Sequence, residues 1–152
     1  MTARRQHCLL MRDSWRADVA LAQRFELSGG PYAPGIARTS VDRLLGDRLR
    51  EDELVDVSVL VSELVTNAVR HGHADEHESI VLHVAIAPHV VRVEVCDRGP
   101  GFVAPAVPRN HPGGGGNGLV LLARMSSAWG VATDDGTCVW FERELAWRPG
   151  LA

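Results

Sequence analysis

The chain has 152 residues, a hydrophobic fraction of 45%, a charged fraction of 23% and a formal net charge of -3 at pH 7. That length suits one domain able to bury most of its apolar surface, and the composition excludes global disorder. The slight negative charge argues against nucleic acid as a partner, and no segment reaches the roughly 20 apolar residues that cross a bilayer. Arg4 and Arg5 precede a short apolar stretch, Cys8 to Met11, which Arg12 and Asp13 end too early for a signal peptide. Cys8, Cys96 and Cys138 lie far apart with no CxxC pair, matching neither a zinc site nor a secreted disulfide framework. They read as reduced thiols in a soluble, cytoplasmic protein with no membrane partner.

In chain order, residues 1–16 have no clear period and read as an arm, and Ala17 to Leu27 is a candidate first strand. Ser28-Gly29-Gly30-Pro31 and Pro34-Gly35 punctuate a loop. Ile36, Val41, Leu44, Leu45 and Leu49 then recur at helical spacing, predicting a first helix to Arg50. Glu51-Asp52-Glu53 places negative charge where a helix dipole favours it, and Leu54, Val57, Val61, Leu64 and Ala68 follow at steps of three and four. These predict a second helix running to about Gly72. Ile80 to Ile86 and Val90 to Cys96 are apolar and β-branched around Ala87-Pro88-His89, which predicts an antiparallel hairpin.

Asp97 to Gly116 is too rich in glycine and proline for regular structure and reads as a long loop. Leu119 to Ala128 suits a buried helix, and Trp129 to Thr133 and Thr137 to Leu145 form a last hairpin through Asp134-Asp135-Gly136. This order predicts an α+β fold, a two-layer sandwich with about three helices on one face of a mixed, mostly antiparallel sheet. Residues 1–30 are expected to form an arm containing the first strand, 31–148 the folded domain and 149–152 a tail.

Three stretches carry chemistry. Glu63, Asn67 and His71 stand at successive four-residue steps, so they form one polar stripe opposite an apolar one. A solvated helix face has the same pattern, but Asn is a mediocre helix former, and its amide oxygen suits Mg²⁺. Glu63 could then draw a proton from a hydroxyl that attacks a phosphate. Asp97-Arg-Gly99-Pro-Gly101-Phe102 follows an apolar strand; its carboxylate could accept from the exocyclic amine of adenine, with glycines letting backbone approach the ring. An ordinary turn has this composition too. Gly113 to Gly116, then Asn117 and Gly118, offer unhindered N–H groups at the start of a helix, which suits phosphates; a flexible linker is the competing reading. No GxxxxGK[ST] occurs, and no strand precedes these glycines as a Rossmann turn requires.

Taken together, Glu63-x3-Asn67, Asp97-x-Gly99-x-Gly101 and Gly116-x-Gly118-Leu119 resemble the N, G1 and G2 boxes of GHKL ATPases, over about residues 34–145. The text SELVTNAVRH and the ending Trp129-Gly130-Val131 are similar to the bacterial anti-sigma-factor serine/threonine kinases, the RsbW-like group. The resemblance implies the Bergerat fold, ATP and Mg²⁺ as cofactors, Asn67 as the Mg²⁺ ligand, Glu63 as general base on a protein serine and Asp97 as the adenine anchor. It implies that Gly99 and Gly101 shape the base pocket and that Gly115, Gly116, Asn117, Gly118 and Leu119 line the phosphates. Arg70, His71, Phe102 and Thr137 would complete the nucleotide site, beneath a lid from Phe102 to Gly115. The implied substrate is an anti-anti-sigma protein of STAS type, the implied captive a sigma factor, and the implied assembly a homodimer.

Many relatives carry a basic residue where this chain has Asn117; Arg109 or His111 of the lid could replace it, though both also suit a solvated loop. A nucleotide-dependent binding module that transfers no phosphate is the alternative, and a histidine-kinase-like ATPase module a further one. Zinc is disfavoured: His71, His73, His77 and His83 lie close together, but in a charged polar stretch with no cysteine nearby. Trp129 and Trp140 read as core or sheet-face residues rather than a stacking platform.

Overall fold

A computed structural model describes residues 17–71, 77–99, 117–133 and 136–146. Five strands, β1 (Leu21–Ser28), β2 (Ser79–Ala87), β3 (Val90–Asp97), β4 (Ala128–Ala132) and β5 (Thr137–Glu144), form one sheet. Their order is β1-β2-β3-β5-β4, and every described pairing is antiparallel. Three helices, α1 (Ala33–Leu45), α2 (Glu51–His71) and α3 (Asn117–Met125), complete the described elements. The expected α+β sandwich is therefore the architecture, without a parallel pair among the described residues.

The period of two in the strands divides the sheet into unlike faces. Ile80, Leu82, Val84 and Ile86 of β2 and Val91, Val93 and Val95 of β3 point into one core with Val57, Leu60, Val61, Leu64 and Val65 of α2. Each such side chain contributes about 1.5–3 kcal/mol on burial. The opposite face carries Arg92 and Glu94 of β3 with Trp140 and Glu142 of β5. Arg92 donates from Nη2 to Glu94 Oε1 at 2.6 Å and from Nη1 to Glu142 Oε1 at 2.9 Å, and its guanidinium lies 4.2 Å from the centre of the Trp140 ring. Trp129 packs against the core instead, one residue from Gly130 on which Trp140 closes.

Element ends shift for local reasons. Helix α1 begins at Ala33, before the expected Ile36, because Pro34 falls in its first turn, where a missing N–H costs no helical bond. It stops at Leu45 rather than Arg50, giving way to turns through Gly46 and Asp47. Glu53 organises the start of α2: it is 3% exposed, and its carboxylate accepts from Arg50 N at 2.9 Å and from Ala146 N at 3.0 Å. The first of these is the backward half of a capping box, and the second ties the helix to the end of β5. Arg143 adds a bond from Nη2 to Asp56 Oδ2 at 2.7 Å.

The structure corrects the reading of the cysteines. Cys96 and Cys138 are bonded as a disulfide with Cα atoms 4.1 Å apart, while Cys8 lies outside the described residues. They face each other because β3 and β5 pair with Cys96 opposite Cys138, a register that a separation of 42 residues hides from the sequence. The support that reduced thiols lent to a cytoplasmic location goes with that reading. Among the described residues, no helix is long and apolar enough to cross a membrane. A loop of this length contributes about 4 kcal/mol in the chain-entropy account, so reduction should lower the melting temperature by roughly 10 °C. Scanning calorimetry with and without a dithiol tests this, and an unchanged midpoint would show that the bond does not constrain the unfolded chain.

Candidate functional site

The apolar stripe of α2 faces the sheet, which turns Glu63 and Asn67 to the flank where α3 begins. Both side chains are half-buried. Helix α3 meets them through Gly118: a Cβ built there falls 3.0 Å from Asn67 Nδ2 and 3.3 Å from Glu63 Oε2. The close approach of the two helices thus depends on the missing side chain. Gly118 and Leu119 are buried in the first turn of α3, where orphan N–H groups and the helix dipole favour an anion.

Asp97 ends β3 on the core-facing side of the sheet and is 9% exposed. Its Oδ1 accepts from Gly99 N at 2.7 Å, which fixes the turn that the Asp-x-Gly spacing implied. Burial pushes the Asp97 carboxyl above the usual aspartate range; the Gly99 N–H pulls it down and the charge of Glu78 pushes it up again. Directly opposite in the register stands Thr137, 3% exposed, whose buried Oγ1 has no hydrogen-bond partner among the described residues. A buried polar atom of this kind calls for a partner that a ligand can supply.

Gly136 escaped the sequence reading except as a turn residue. Its φ of +82° and the 2.2 Å between a built Cβ and Asp97 O require glycine, so the backbone beside Asp97 is held by a position that admits no side chain. Only the pairing of β3 with β5 could have revealed it.

The structure therefore brings Glu63, Asn67 and Gly118 together on the helical flank, and Asp97, Gly99 and Thr137 together at the end of the central strands. Arg70 is exposed in the last turn of α2, and His71 ends that helix. Asn117 opens α3. Gly101, Phe102, Gly115, Gly116, the lid with Arg109 and His111, and His73 lie outside the described residues.

A family model described as the histidine kinase-like ATPase domain matches residues 34–143, which contain both groups of side chains. The chain belongs to this family. An anti-sigma F factor of Clostridium perfringens is 35% identical over 81 residues, covering 52% of this chain and 58% of that relative. An anti-sigma F factor of Bacillus subtilis is 39% identical over 52 residues, 34% of this chain and 36% of that relative. The chain thus spans about a third to three fifths of the length of these curated relatives. The fold also matches part of a structure of the RsbU and RsbW domains of a Mycobacterium tuberculosis protein, at a TM-score of 0.61 and 23% identity over 84% of this chain and 33% of the other. The SiaB–SiaC complex of Pseudomonas aeruginosa gives a TM-score of 0.56 at 18% identity, over 91% of this chain and 96% of the other.

Membership of a histidine kinase-like ATPase family implies ATP as the ligand. The residues fit it. Asp97 and Thr137 would offer a base a buried acceptor and an unsatisfied hydroxyl, and Gly118 lets the N–H groups that start α3 lie against Asn67 and Glu63, where a phosphate would meet them.

The raised Asp97 carboxyl makes a prediction with opposite signs for stability and binding. An acid whose folded pKa exceeds its unfolded value contributes stability below the unfolded pKa and loses it as pH rises through the folded one. At neutral pH the buried carboxylate therefore costs stability. Asp97→Asn keeps an acceptor for Gly99 N–H and should raise the melting temperature at pH 7, with the gain shrinking as pH falls through the raised pKa. The same variant should bind ATP about 10- to 100-fold more weakly, the value of a hydrogen bond to a charged group. A variant that gains no stability at pH 7 would refute burial as the dominant influence.

Proposed function

We propose that this chain is an ATP-dependent serine/threonine protein kinase of the anti-sigma type, which phosphorylates an anti-anti-sigma protein of STAS type and holds a sigma factor when that antagonist is absent. The observation that carries this reading is the seating of Gly118 against Glu63 and Asn67, which supports reading Glu63 as the base and Asn67 as the cation ligand beside a helix start. The likeness to anti-sigma F factors supports the class of partner.

Bound ATP would supply the transferable phosphoryl group, with Mg²⁺ neutralising its charge. Asn67 would hold the cation through its amide oxygen, and Arg70 would add positive charge nearby. Asp97 would accept from the exocyclic amine of adenine through the carboxylate oxygen not bonded to Gly99, with Thr137 Oγ1 satisfied by the same ring or a water on it. Glu63 would take the proton from the serine hydroxyl of the substrate protein. The N–H groups at the start of α3 would orient the phosphates, and Gly118 excludes any side chain from the space between them and the stripe on α2. We also propose that Gly99, Gly101, Phe102, Gly115, Gly116, Asn117 and Leu119 complete the nucleotide site, and that the working form is a homodimer.

Calorimetry with ATP, with and without Mg²⁺, tests the first half of this reading. Tight, Mg²⁺-dependent binding supports it, and no heat at millimolar ATP rejects it. Labelled ATP with candidate STAS-type proteins tests the second half. Binding without transfer to any of them would leave a nucleotide-dependent binding module.

A further inference from the structure

We propose that the Cys96–Cys138 bond is a redox-sensitive clamp on the nucleotide site: reduction to two thiols loosens the end of β3 and β5 and weakens ATP binding. The inference rests on the ATP reading above and adds a control to that site.

Placement carries the argument. Cys96 immediately precedes Asp97, Cys138 immediately follows Thr137, and the two pairs are neighbours in one register. Asp97 opposite Thr137 is the last pair of that ladder, where strands fray most readily. Among the described residues, side chains fasten this pair only through the Gly99 N–H on Asp97 Oδ1: the Thr137 hydroxyl has no partner, and burial works against the Asp97 charge. The disulfide sits one residue inside and is the covalent stop to fraying. It also closes a loop that contains the Asp97–Gly99 turn and all of α3 with Gly118, while Glu63 and Asn67 on α2 lie outside that loop.

Access suits a switch. Successive strand residues point to opposite faces, so the sulfurs lie on the sheet face away from α2 and α3, while Asp97 and Thr137 face the helices. Both cysteines are only half-buried. A small dithiol therefore reaches the bond from the side that the nucleotide does not use. One of its thiolates attacks a cysteine sulfur, forming a mixed disulfide and releasing the other cysteine as a thiol. The second thiol of the reductant then displaces the first cysteine. Two electrons and two protons pass to the pair, and the reductant leaves as its cyclic disulfide.

The test uses the full chain with Cys8→Ser, so that one redox couple remains. ATP affinity is measured by calorimetry in the oxidised protein, after reduction with dithiothreitol, and after reoxidation. Amide exchange is followed in parallel without nucleotide. Reduction should weaken ATP binding about tenfold by loss of preorganisation and speed exchange at residues 96–99 and 136–138, and reoxidation should reverse both. The double variant Cys96→Ser, Cys138→Ser should bind like the reduced protein and ignore the reductant; if it does not fold, the reduced chain itself carries the comparison. Equal affinity in both states, or unchanged exchange, would overturn the clamp and leave the ATP reading intact. No ATP binding in either state would remove that reading and the clamp with it.

Discussion

Replacing Glu63 with Gln is expected to lower phosphoryl transfer by about 10²- to 10⁴-fold, the usual contribution of a positioned general base, while Mg·ATP affinity stays within about twofold. Gln matches Glu in size, so the half-buried side chain keeps its contact with Gly118 and loses only the capacity to take a proton. Asn67→Ala, one helical turn on, should do the reverse. It removes the amide, so Mg²⁺-dependent ATP binding should fall about 10- to 100-fold, and transfer with it. Single-turnover transfer separates the two when read beside calorimetry. If Glu63→Gln transfers phosphate at the rate of the native chain, Glu63 is not the base. If Asn67→Ala keeps full Mg²⁺ dependence, the polar stripe of α2 is a solvated face and nothing more.

Those two residues were legible in the sequence because a helix writes its faces at fixed intervals. Steps of four placed Glu63 and Asn67 on one stripe, and the apolar steps at Val57, Val61 and Leu64 placed the opposite stripe in the core, where the structure has it. The hairpin of β2 and β3 was legible for a similar local reason, since its two strands are separated only by the turn at Pro88 and His89. Boundaries were less so. Pro34 reads as loop punctuation until one allows that the first turn of a helix tolerates proline.

What the sequence hid is non-local. Nothing within β3 or β5 announces that Cys96 will meet Cys138, that Thr137 will stand opposite Asp97, or that Gly136 will press on the Asp97 carbonyl. Each follows from one register between strands with α3 and β4 between them in the chain. A slip of one residue would exchange the faces, putting the cysteines among the helices and Asp97 on the open side. The buried runs Val91, Val93, Val95 and Val139, Phe141 exclude that slip, so the hydrophobic pattern that builds the core also delivers the polar pair to the helical side.

Gly118 carries the last prediction, and it opposes two well-understood effects. Glycine in the middle of a helix is less stable than alanine by about 0.5–1 kcal/mol, and a smaller part of that applies in the first turn, so on propensity alone Gly118→Ala should stabilise the chain slightly. The new methyl carbon, however, would stand 3.0 Å from Asn67 Nδ2 and 3.3 Å from Glu63 Oε2, closer than side chains ordinarily pack. Backbone does not bar the way; the tips of the two side chains that the proposed chemistry needs do, and they must give by a few tenths of an ångström. The expected result is a melting temperature at or slightly above that of the native chain, with ATP affinity reduced about tenfold. Gly118→Val, with two further carbons in the same space, should lose about 100-fold, since a displacement near 1 Å at a positioning group costs about that much. Calorimetry and thermal melts on the same preparations decide it. Equal loss of stability and binding would mean that Gly118 is needed only for the packing of α3 on α2. Loss of binding in a chain that melts no lower would mean that Gly118 is kept so that Asn67 and Glu63 hold the positions the nucleotide needs.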